Sequence, residues 1–251
     1  MGKASLRREG IMQMLREKGT ITVNEIVSLY RCSEATARRD LEMMESEKKL
    51  IRTYGGAILE ETKHEIPFFN KLEQEVAAKQ EIAAKAADLI QDGDVIGLSG
   101  GSTTYFIAKK IRDSKKVTVV TNAINIAYEL AGVEGIQLIV TGGVLRSQSF
   151  ELSGPMADST LSKIIIQKMF VGADGISLHR GMTTFNELEA NTNRLMLEHA
   201  QQRYVVVDHT KFNNTSLFVI FGLKDVNAIL TDGGVSKQIV KQYRDAGITI
   251  L

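Results

Sequence analysis

The sequence predicts an α/β protein in which a small N-terminal domain, helical with a short β-hairpin, precedes a doubly wound, mainly parallel α/β domain. From residue 94 onward, short apolar runs typical of buried strands alternate with segments of helical periodicity. Most of these runs end in Thr, Asn, Gly or Asp, residues that form turns at strand ends. Three short helical segments near the N-terminus indicate the smaller domain. We place the N-terminal domain at residues 1–59, a linker at 60–75 and the C-terminal domain at 76–251.

The composition is typical of a globular protein, with 251 residues of which 43% are hydrophobic and 24% charged. Cys32 is the only cysteine of the sequence, which excludes an intrachain disulfide and favours a reducing compartment. Because no apolar run of about 18 residues and no signal segment is present, we expect a cytoplasmic protein without a membrane partner. Residues 1–59 carry 11 Lys and Arg against 8 Asp and Glu, a modest excess that indicates a nucleic-acid-facing head.

Three helices are predicted before residue 47. The first covers residues 6–18 and ends at Gly19. Thr22-Val23-Asn24-Glu25 is a capping-box pattern that opens a second helix, which extends to about Tyr30. Ser33 can cap a third helix over residues 34–46. The brief turn between the second and third helices is typical of a helix-turn-helix.

The third helix has the pattern of a recognition helix. At about 100° per residue, Ala37, Leu41 and Met44 fall on one buried face, and the N-terminal half is exposed on the other. Residues 48–58 form two β-prone runs around a Gly-Gly turn, a hairpin that would lie beside the DNA backbone as a wing. A solvated polar face is the alternative interpretation. The candidate DNA contacts are Ser33, Thr36, Arg38 and Arg39 on the helix, and Arg52 and Tyr54 on the hairpin.

The segment between the domains is charged and contains Pro67 beside Phe68 and Phe69. We interpret residues 60–75 as a linker whose aromatic pair packs on one of the domains or on a second subunit. An Ala-rich helix over residues 76–90 follows, and a turn at 92–94 leads into the first strand.

A candidate anion site follows the strand predicted over residues 94–98. Two glycines and three hydroxyl residues open an amphipathic helix there, and a helix start offers unpaired N–H groups and partial positive charge. Hydroxyl donors suit a phosphate monoester. The alternative is a tight strand-to-helix turn in which Ser102 or Thr103 caps the helix. The candidate phosphate contacts are Ser99, Gly100, Gly101, Ser102, Thr103 and Thr104.

The rest of the chain repeats the same order of strand, polar turn and helix. The ligands of such sheets lie beyond the carboxyl ends of the strands, so we expect a small polar ligand there. The predicted strands cover residues 117–120, 136–140, 168–171, 204–207 and 228–230, and the helices about 123–131, 156–163, 185–201 and 236–245.

These residues resemble a known family. The segment Ser33-Glu34-Ala35-Thr36-Ala37-Arg38-Arg39-Asp40-Leu41, followed by Tyr54-Gly55-Gly56-Ala57, resembles the winged helix-turn-helix head of the DeoR family of bacterial transcriptional regulators. The match continues through Pro67-Phe68, Asp92-Gly93-Asp94, Gly101-Ser102-Thr103-Thr104, Thr121-Asn122, Gly142-Gly143, Gly172-Ala173-Asp174-Gly175 and Lys211-Phe212. The resemblance implies a repressor of sugar catabolism that a phosphorylated sugar releases from operator DNA.

Within that resemblance, the remaining polar groups at the strand ends are expected to surround the sugar. Lys211 would neutralise the phosphate or contact a ring oxygen, with Arg146 as a second cation. Helix-turn-helix operators are usually repeated half-sites, so a homodimer or homotetramer is expected. We expect no cofactor and no metal, because His179, His199 and His209 lack metal-ligand spacing. The other expected sugar contacts are Asn122, Gly142, Gly143, Asp174 and Glu189.

The C-terminal domain is also similar to ribose-5-phosphate isomerase, which makes a sugar-phosphate isomerase the main alternative. Those enzymes carry a Gly-Ala-Asp-x-x-Asp segment, and here Ser177 replaces its second carboxylate. Residues 183–186 also lack the Lys-Gly-Gly-Gly stretch of the enzymes, although Glu187 or Glu189 could still approach a sugar. Isomerisation needs a base to move a proton between carbons, so we expect no enzymatic activity. A regulator that binds a protein or an unphosphorylated sugar is a third interpretation.

Overall fold

The computed structural model describes residues 3–18, 20–47, 49–53, 55–59 and 65–251. The chain divides into two compact units, Met1–Glu65 and Ile66–Leu251. Each unit has apolar clusters of its own, so each has a core that its own elements enclose.

The first unit contains the predicted helices and hairpin, together with one strand that we did not predict. Thr22 caps the second helix as expected, because its hydroxyl accepts from Glu25 N (3.2 Å) while the Glu25 carboxylate accepts from Thr22 N (2.8 Å). The additional strand has only three residues, too few for a periodic pattern, and pairs with the second strand of the hairpin. The elements are α1 (Lys3–Lys18), β1 (Thr20–Thr22), α2 (Val23–Tyr30), α3 (Glu34–Ser46), β2 (Leu50–Thr53) and β3 (Gly56–Leu59).

The second unit is the predicted parallel sheet with helices on both faces. Its helices are α4 (Phe68–Glu73), α5 (Val76–Leu89), α6 (Ser102–Ile111), α7 (Ile124–Leu130), α8 (Pro155–Leu161), α9 (Glu187–Glu198) and α10 (Lys237–Asp245). Its strands are β4 (Val95–Leu98), β5 (Val117–Thr121), β6 (Ile136–Val140), β7 (Val144–Arg146), β8 (Glu151–Ser153), β9 (Ile166–Val171), β10 (Gly175–Ser177), β11 (Gly181–Thr184), β12 (Ala200–Val206), β13 (Phe218–Phe221) and β14 (Ala228–Leu230).

The strand order of the main sheet is β14-β12-β9-β4-β5-β6, and all of its strands are parallel. From β4 the chain adds strands on one side, through β5 to β6, and later on the other side, from β9 to β14. The order therefore reverses between β4 and β9, and the crevice at their carboxyl ends is where ligands of such sheets bind. The Ser99–Thr104 turn follows β4, and Gly172 follows β9.

Besides the additional strand β1, the structure differs from the sequence expectations in several places. Residues 66–75, which we predicted as the second half of a linker, belong to the second unit and include α4, since Phe68 is 5% exposed and packs edge-to-face on Tyr105 and Phe150. The two smaller sheets, β7-β8 and β10-β11-β13, were not predicted, because their strands lie outside the alternation of strand and helix that marks the main sheet. Among the described residues, no helix is long and apolar enough to cross a membrane.

Candidate functional site

Two arginines lie on the exposed side of α3, and the other side of this helix packs into the core of the first unit. Ala37, Leu41 and Met44 are at most 1% exposed, which confirms the predicted core face of this helix. Arg38 and Arg39 lie on the exposed side. Arg38 lies 3.7 Å from the carboxylate of Glu34, and both side chains are at least half exposed, so this ion pair holds the guanidinium only weakly.

The two hydroxyl residues at the start of α3 act first as a helix cap. Ser33 Oγ accepts from Thr36 N (3.2 Å), and the two hydroxyl oxygens lie 2.9 Å apart. This fixes the start of the helix, where its N–H groups lack helical partners. Their role as DNA contacts stays a prediction.

The predicted wing residues give less information. Arg52 Nη1 lies 3.1 Å from Glu42 Oε1 and 3.9 Å from Glu45 Oε2, so its guanidinium ties β2 to α3. A DNA phosphate would have to replace those carboxylates. Tyr54 lies outside the described residues.

Sequence reasoning missed Asp40, a buried carboxylate on α3. Arg7 of α1 donates from Nε to Asp40 Oδ2 (2.5 Å), and this hydrogen bond raises the pKa of the guanidinium. The ion pair therefore ties α1 to the recognition helix. The helical spacing does carry this signal, because Asp40 falls only about 60° from Ala37 on the helical wheel.

The second unit has a cleft at the point where the strand order reverses. It encloses about 590 Å³ when the solvent-filled mouth is included. Its lining comes from α4 and α5, the turn after β4, the turn after β9, the start of α9 and the end of β12. The lining residues that carry charge, or that form the turn at the start of α6, are Lys71, Glu75, Lys79, Gly100, Gly101, Ser102, Thr103, Asp174, Glu189, Asp208 and Lys211.

The turn after β4 depends on its two glycines. A Cβ on Gly100 would lie 2.0 Å from Glu151 Oε1, so only glycine lets this carboxylate lie against the turn. Gly101 has a φ of 131°, a conformation that disfavours other residues. Ser102 and Thr103 follow as the first residues of α6 and line the cleft, where the first-turn N–H groups have no helical acceptors.

Three of the predicted ligand residues form hydrogen bonds that stabilise this turn. Ser99 is fully buried, and its hydroxyl donates to Gly100 O and accepts from Gly172 N. The Thr104 hydroxyl donates to Gly101 O (3.0 Å). Asn122 is also fully buried, and its Oδ1 accepts from Gly100 N (3.0 Å). These internal hydrogen bonds hold the turn in shape, and the role of the three residues as ligand contacts stays a prediction.

The predicted Gly142 and Gly143 are not among the residues that line the cleft. They lead into the β7-β8 hairpin, and both have positive φ angles, 73° and 120°. A Cβ on Gly143 would lie 2.6 Å from Ser153 O, so this glycine allows the two strands of the hairpin to approach each other. The geometry explains both glycines through the hairpin.

Three lysines reach the cleft, and the sequence analysis found one of them. Lys211 lies in a short 3₁₀ turn after β12, and its ammonium group has no ion pair with a described residue within 4 Å. Lys71 Nζ lies 2.6 Å from Asp174 Oδ1. Lys79 is 3% exposed and donates to the carbonyls of Lys71 and Gln74; burial lowers the pKa of its ammonium to about 8. Lys71 was missed because it lies in the presumed linker, and Lys79 because helical spacing alone did not mark it as a cleft residue.

Two carboxyl groups, those of Asp174 and Glu189, line the cleft. Burial alone would raise the pKa of Asp174, but the ammonium of Lys71 and the hydroxyl of Thr184 hold it below its ordinary value. Arg146, which does not itself line the cleft, bridges two carboxylates, since its Nη1 lies 3.2 Å from Glu189 Oε2 and 3.4 Å from Glu151 Oε2. Asp174 and Glu189 therefore offer acceptors for hydroxyl groups in the same cleft as the donors of α6.

The two glutamates of this group hold protons more strongly than ordinary carboxylates. Burial, and then the neighbouring Asp174 carboxylate, raise the pKa of Glu189 to about 7. Burial and the Glu189 carboxylate raise the pKa of Glu151 well above its ordinary value. No group of three or more His, Cys, Asp or Glu side chains that could hold a metal ion occurs among residues 3–18, 20–47, 49–53, 55–59 and 65–251.

Glu189 should make the stability of the protein depend on pH. Because its pKa is about 7 in the folded chain and near 4.5 in the unfolded chain, the stabilisation it provides is complete below pH 4.5 and is lost as the pH rises to about 7. Between those pH values we expect the free energy of unfolding of the wild type to fall by about 1–3 kcal/mol more than that of Glu189→Gln. Urea titrations across this pH range measure the difference.

Glu187→Gln is the matched control, because it makes the same change on the same turn of α9 at an exposed position. Its stability should follow that of the wild type across the whole range. Parallel pH profiles for the wild type and Glu189→Gln would contradict the assignment.

Comparisons with known proteins match both units. The DeoR-like helix-turn-helix domain matches residues 7–63, and the DeoR C-terminal sensor domain matches residues 74–233. Over 250 residues the chain is 37% identical to a putative aga operon transcriptional repressor of Escherichia coli O157:H7, covering 98% of this chain and 93% of that protein. It is 34% identical over 241 residues to the lactose phosphotransferase system repressor of Lactococcus lactis subsp. lactis, covering 94% of each chain.

A third relative is an activator. The chain is 32% identical over 236 residues to the L-fucose operon activator of Haemophilus influenzae, covering 94% of each chain. Among solved structures, ribose 5-phosphate isomerase from Plasmodium falciparum aligns with 54% of this chain and 52% of its own, with 19% identity and a TM-score of 0.41.

Proposed function

The chain belongs to the DeoR family of DNA-binding transcriptional regulators, and we propose that it represses a sugar-catabolic operon until a phosphorylated sugar binds in the cleft of its second unit. Two of its relatives are named as repressors of the aga operon and of the lactose phosphotransferase system. The binding of DNA is assigned to α3 and the hairpin, and the binding of the sugar phosphate to the cleft. In this proposal residues 1–59 are the DNA-binding domain and residues 76–251 the core of the sensor.

The observation that carries the proposal is the number of anion donors in the lining of the cleft. The start of α6 provides first-turn N–H groups and the hydroxyls of Ser102 and Thr103. Lys71, Lys79 and Lys211 bring three ammonium groups to the same cleft. A phosphate monoester combines the charge and the acceptor atoms that such a set of donors binds.

Two carboxyl groups of the cleft suit the hydroxyl groups of a sugar. Asp174 and Glu189 are largely buried carboxyl groups that line the cleft. A carboxylate accepts hydrogen bonds from hydroxyls, and a protonated Glu189 can also donate one. In this proposal Arg146 orients Glu189 rather than binding the phosphate directly, which revises the role we expected from the sequence.

The other partners follow from the same proposal. The operator is double-stranded DNA with repeated half-sites, and the regulator binds it in the cytoplasm as a homodimer or homotetramer. Release requires that the sugar phosphate bind the DNA-competent and DNA-incompetent states with different affinities. A coupling of roughly 1–3 kcal/mol would change the operator affinity about 5- to 150-fold.

One observation favours the second candidate, a sugar-phosphate isomerase. Glu189 is a buried carboxyl group with a pKa of about 7 in the cleft, which is a property of general bases. Against this, Ser177 replaces the second acid of the isomerase pattern, and its hydroxyl accepts from Arg180 N. We therefore propose a sensor without enzymatic activity, and interconversion of aldose and ketose phosphates by the purified protein would overturn that proposal.

A thermal-shift screen of the full chain against sugar phosphates and their unphosphorylated counterparts tests the phosphate claim. A phosphorylated ligand at 100 times its Kd should raise the unfolding temperature by about 5–10 °C, and its unphosphorylated counterpart by far less. Lys211→Met should lower the affinity for the phosphorylated ligand about tenfold or more, because the substitution removes an ammonium group from the cleft.

Lys163→Met is the matched control, since this lysine is exposed and lies outside the cleft. It should leave the shift unchanged. Equal shifts for phosphorylated and unphosphorylated sugars would refute the phosphate site and favour a sensor of neutral sugars.

A further inference from the structure

Residues 66–75 form a segment, which we call the strap, that connects the end of the first unit to α5. The strap contains α4, and its last residue, Glu75, has a φ of 48°, a left-handed conformation that is unusual for a residue other than glycine. Since the first unit ends at Glu65, the strap is the part of the second unit that directly follows the first unit in the chain.

One end of the strap is held by aromatic packing. The rings of Phe68 and Tyr105 are 5.7 Å apart, those of Phe69 and Phe150 are 5.3 Å apart, and Phe68 N donates to Gln148 O (2.9 Å). These contacts lie outside the lining of the cleft. They do not depend on the groups that a phosphate would bind.

The other end of the strap is held by the cleft lysines. Lys79, on α5, donates its ammonium hydrogens to the carbonyls of Lys71 and Gln74, both in the strap. Lys71 itself is paired with Asp174 across the cleft. Two of the three ammonium groups that line the cleft therefore also hold the strap in place.

A bound phosphate would compete for these lysines. Lys79 is almost fully buried, and its two acceptors in the strap are neutral carbonyls. A phosphate is a stronger partner, because hydrogen bonds between two charged groups are shorter and stronger than those to neutral acceptors. Lys71 already has a charged partner in Asp174, but a phosphate monoester carries more negative charge than a carboxylate and would compete for the same ammonium.

From this double use of the same ammonium groups, we infer that ligand phosphate releases the strap by withdrawing Lys79 and Lys71 from their contacts with the strap carbonyls and Asp174. The inference rests on the proposed function and adds the route by which occupancy of the cleft reaches the chain leading to the DNA-binding unit. The aromatic end remains packed, so the strap loosens around α4 and Glu75 without leaving the sensor unit.

Hydrogen exchange of the full chain, with and without inorganic phosphate, tests this inference. The reporters are the strap amides of Phe68, Asn70, Lys71 and Gln74, which donate to carbonyls in the unliganded structure. Phosphate should slow exchange at Ser102 and Thr103 and accelerate exchange of the strap amides of Lys71 and Gln74 about tenfold. Slower exchange at residues 102–103 with unchanged or slower exchange in the strap would overturn the strap inference and leave the phosphate site standing. No change in either segment would overturn both.

A ligand-free comparison tests the strap separately. In Lys79→Met the strap carbonyls lose their donor, so the amides of Lys71 and Gln74 should exchange about tenfold faster without phosphate, and phosphate should add only the smaller increase that comes from withdrawing Lys71 from Asp174. Lys85→Met is the matched control, because Lys85 is also on α5 and donates to a carbonyl, that of Thr231, away from the strap. Wild-type exchange of the strap in Lys79→Met would contradict the inference.

Asp174→Asn provides a second variant for the case that Lys79→Met unfolds the whole second unit. It removes only the charge that holds Lys71, so exchange at the Lys71 amide should rise while the amides of α10 stay protected. An unchanged strap in this variant would also contradict the inference.

Discussion

Replacing Arg38 and Arg39 together by alanine lowers operator affinity about a hundredfold or more and leaves the affinity for the sugar phosphate unchanged. Both side chains are exposed on α3, above a core face that neither of them touches, so the fold should be unaffected. An arginine that contacts a base edge contributes about 1–3 kcal/mol, and one that contacts a phosphate also contributes to the salt dependence of binding. Fluorescence anisotropy of labelled operator at several salt concentrations measures both effects.

The salt dependence separates the two kinds of contact. If the arginines contact phosphates, the plot of log affinity against log salt concentration becomes less steep, and the magnitude of its slope decreases by about 1 for each residue removed. Arg180→Ala, which removes an exposed arginine of the second unit, is the control and should leave operator affinity as in the wild type. Wild-type operator affinity in the double variant would refute the assignment of α3 as the recognition helix.

Replacing Ser102 and Thr103 together by aspartate should abolish binding of phosphorylated ligands, with a loss of at least about a hundredfold. Both residues lie in the first turn of α6, in the lining of the cleft. The new carboxylates would repel the phosphate and occupy the N–H groups that it needs. Calorimetry on the purified variant measures the loss.

The control places the same charge at the start of another helix. Ser236 caps α10 by accepting from Ile239 N, and Ser236→Asp preserves that cap outside the cleft. Its ligand affinity should equal that of the wild type. Because two buried aspartates can also destabilise the unit, Thr103→Asp alone is measured as well, and full affinity in a folded Thr103→Asp protein would remove α6 from the site.

The main features of the fold could be predicted because they follow from local patterns. The capping box at Thr22 and the core face of α3 depend on residues three or four positions apart, and the structure contains both. The parallel order of the main sheet follows from the alternation of strands and helices. The short strands β7, β8, β10, β11 and β13 could not be predicted, since they lie outside the alternation of strand and helix on which the prediction of the main sheet depends, and their partners in space define them.

The candidate site was predictable only where one segment carries the chemistry. The turn after β4 combines its glycines and hydroxyls within six residues, and the structure places Gly100 to Thr103 in the cleft. Which of its hydroxyls face inward depends on distant partners, such as the Gly172 N–H that bonds Ser99. Lys71 and Lys79 reach the same cleft from α4 and α5 through tertiary packing, to which no spacing in the sequence corresponds.

In the proposed function, a phosphorylated sugar in the cleft weakens the binding of the first unit to DNA. Operator anisotropy with increasing concentrations of the sugar phosphates identified by thermal shift measures this effect, with the wild type and Ser102→Asp/Thr103→Asp side by side. The phosphorylated sugar should lower wild-type operator affinity about 5- to 150-fold, and the double variant should keep its operator affinity at every concentration. Equal operator affinity of the wild type with and without a saturating sugar phosphate would refute the proposed regulation.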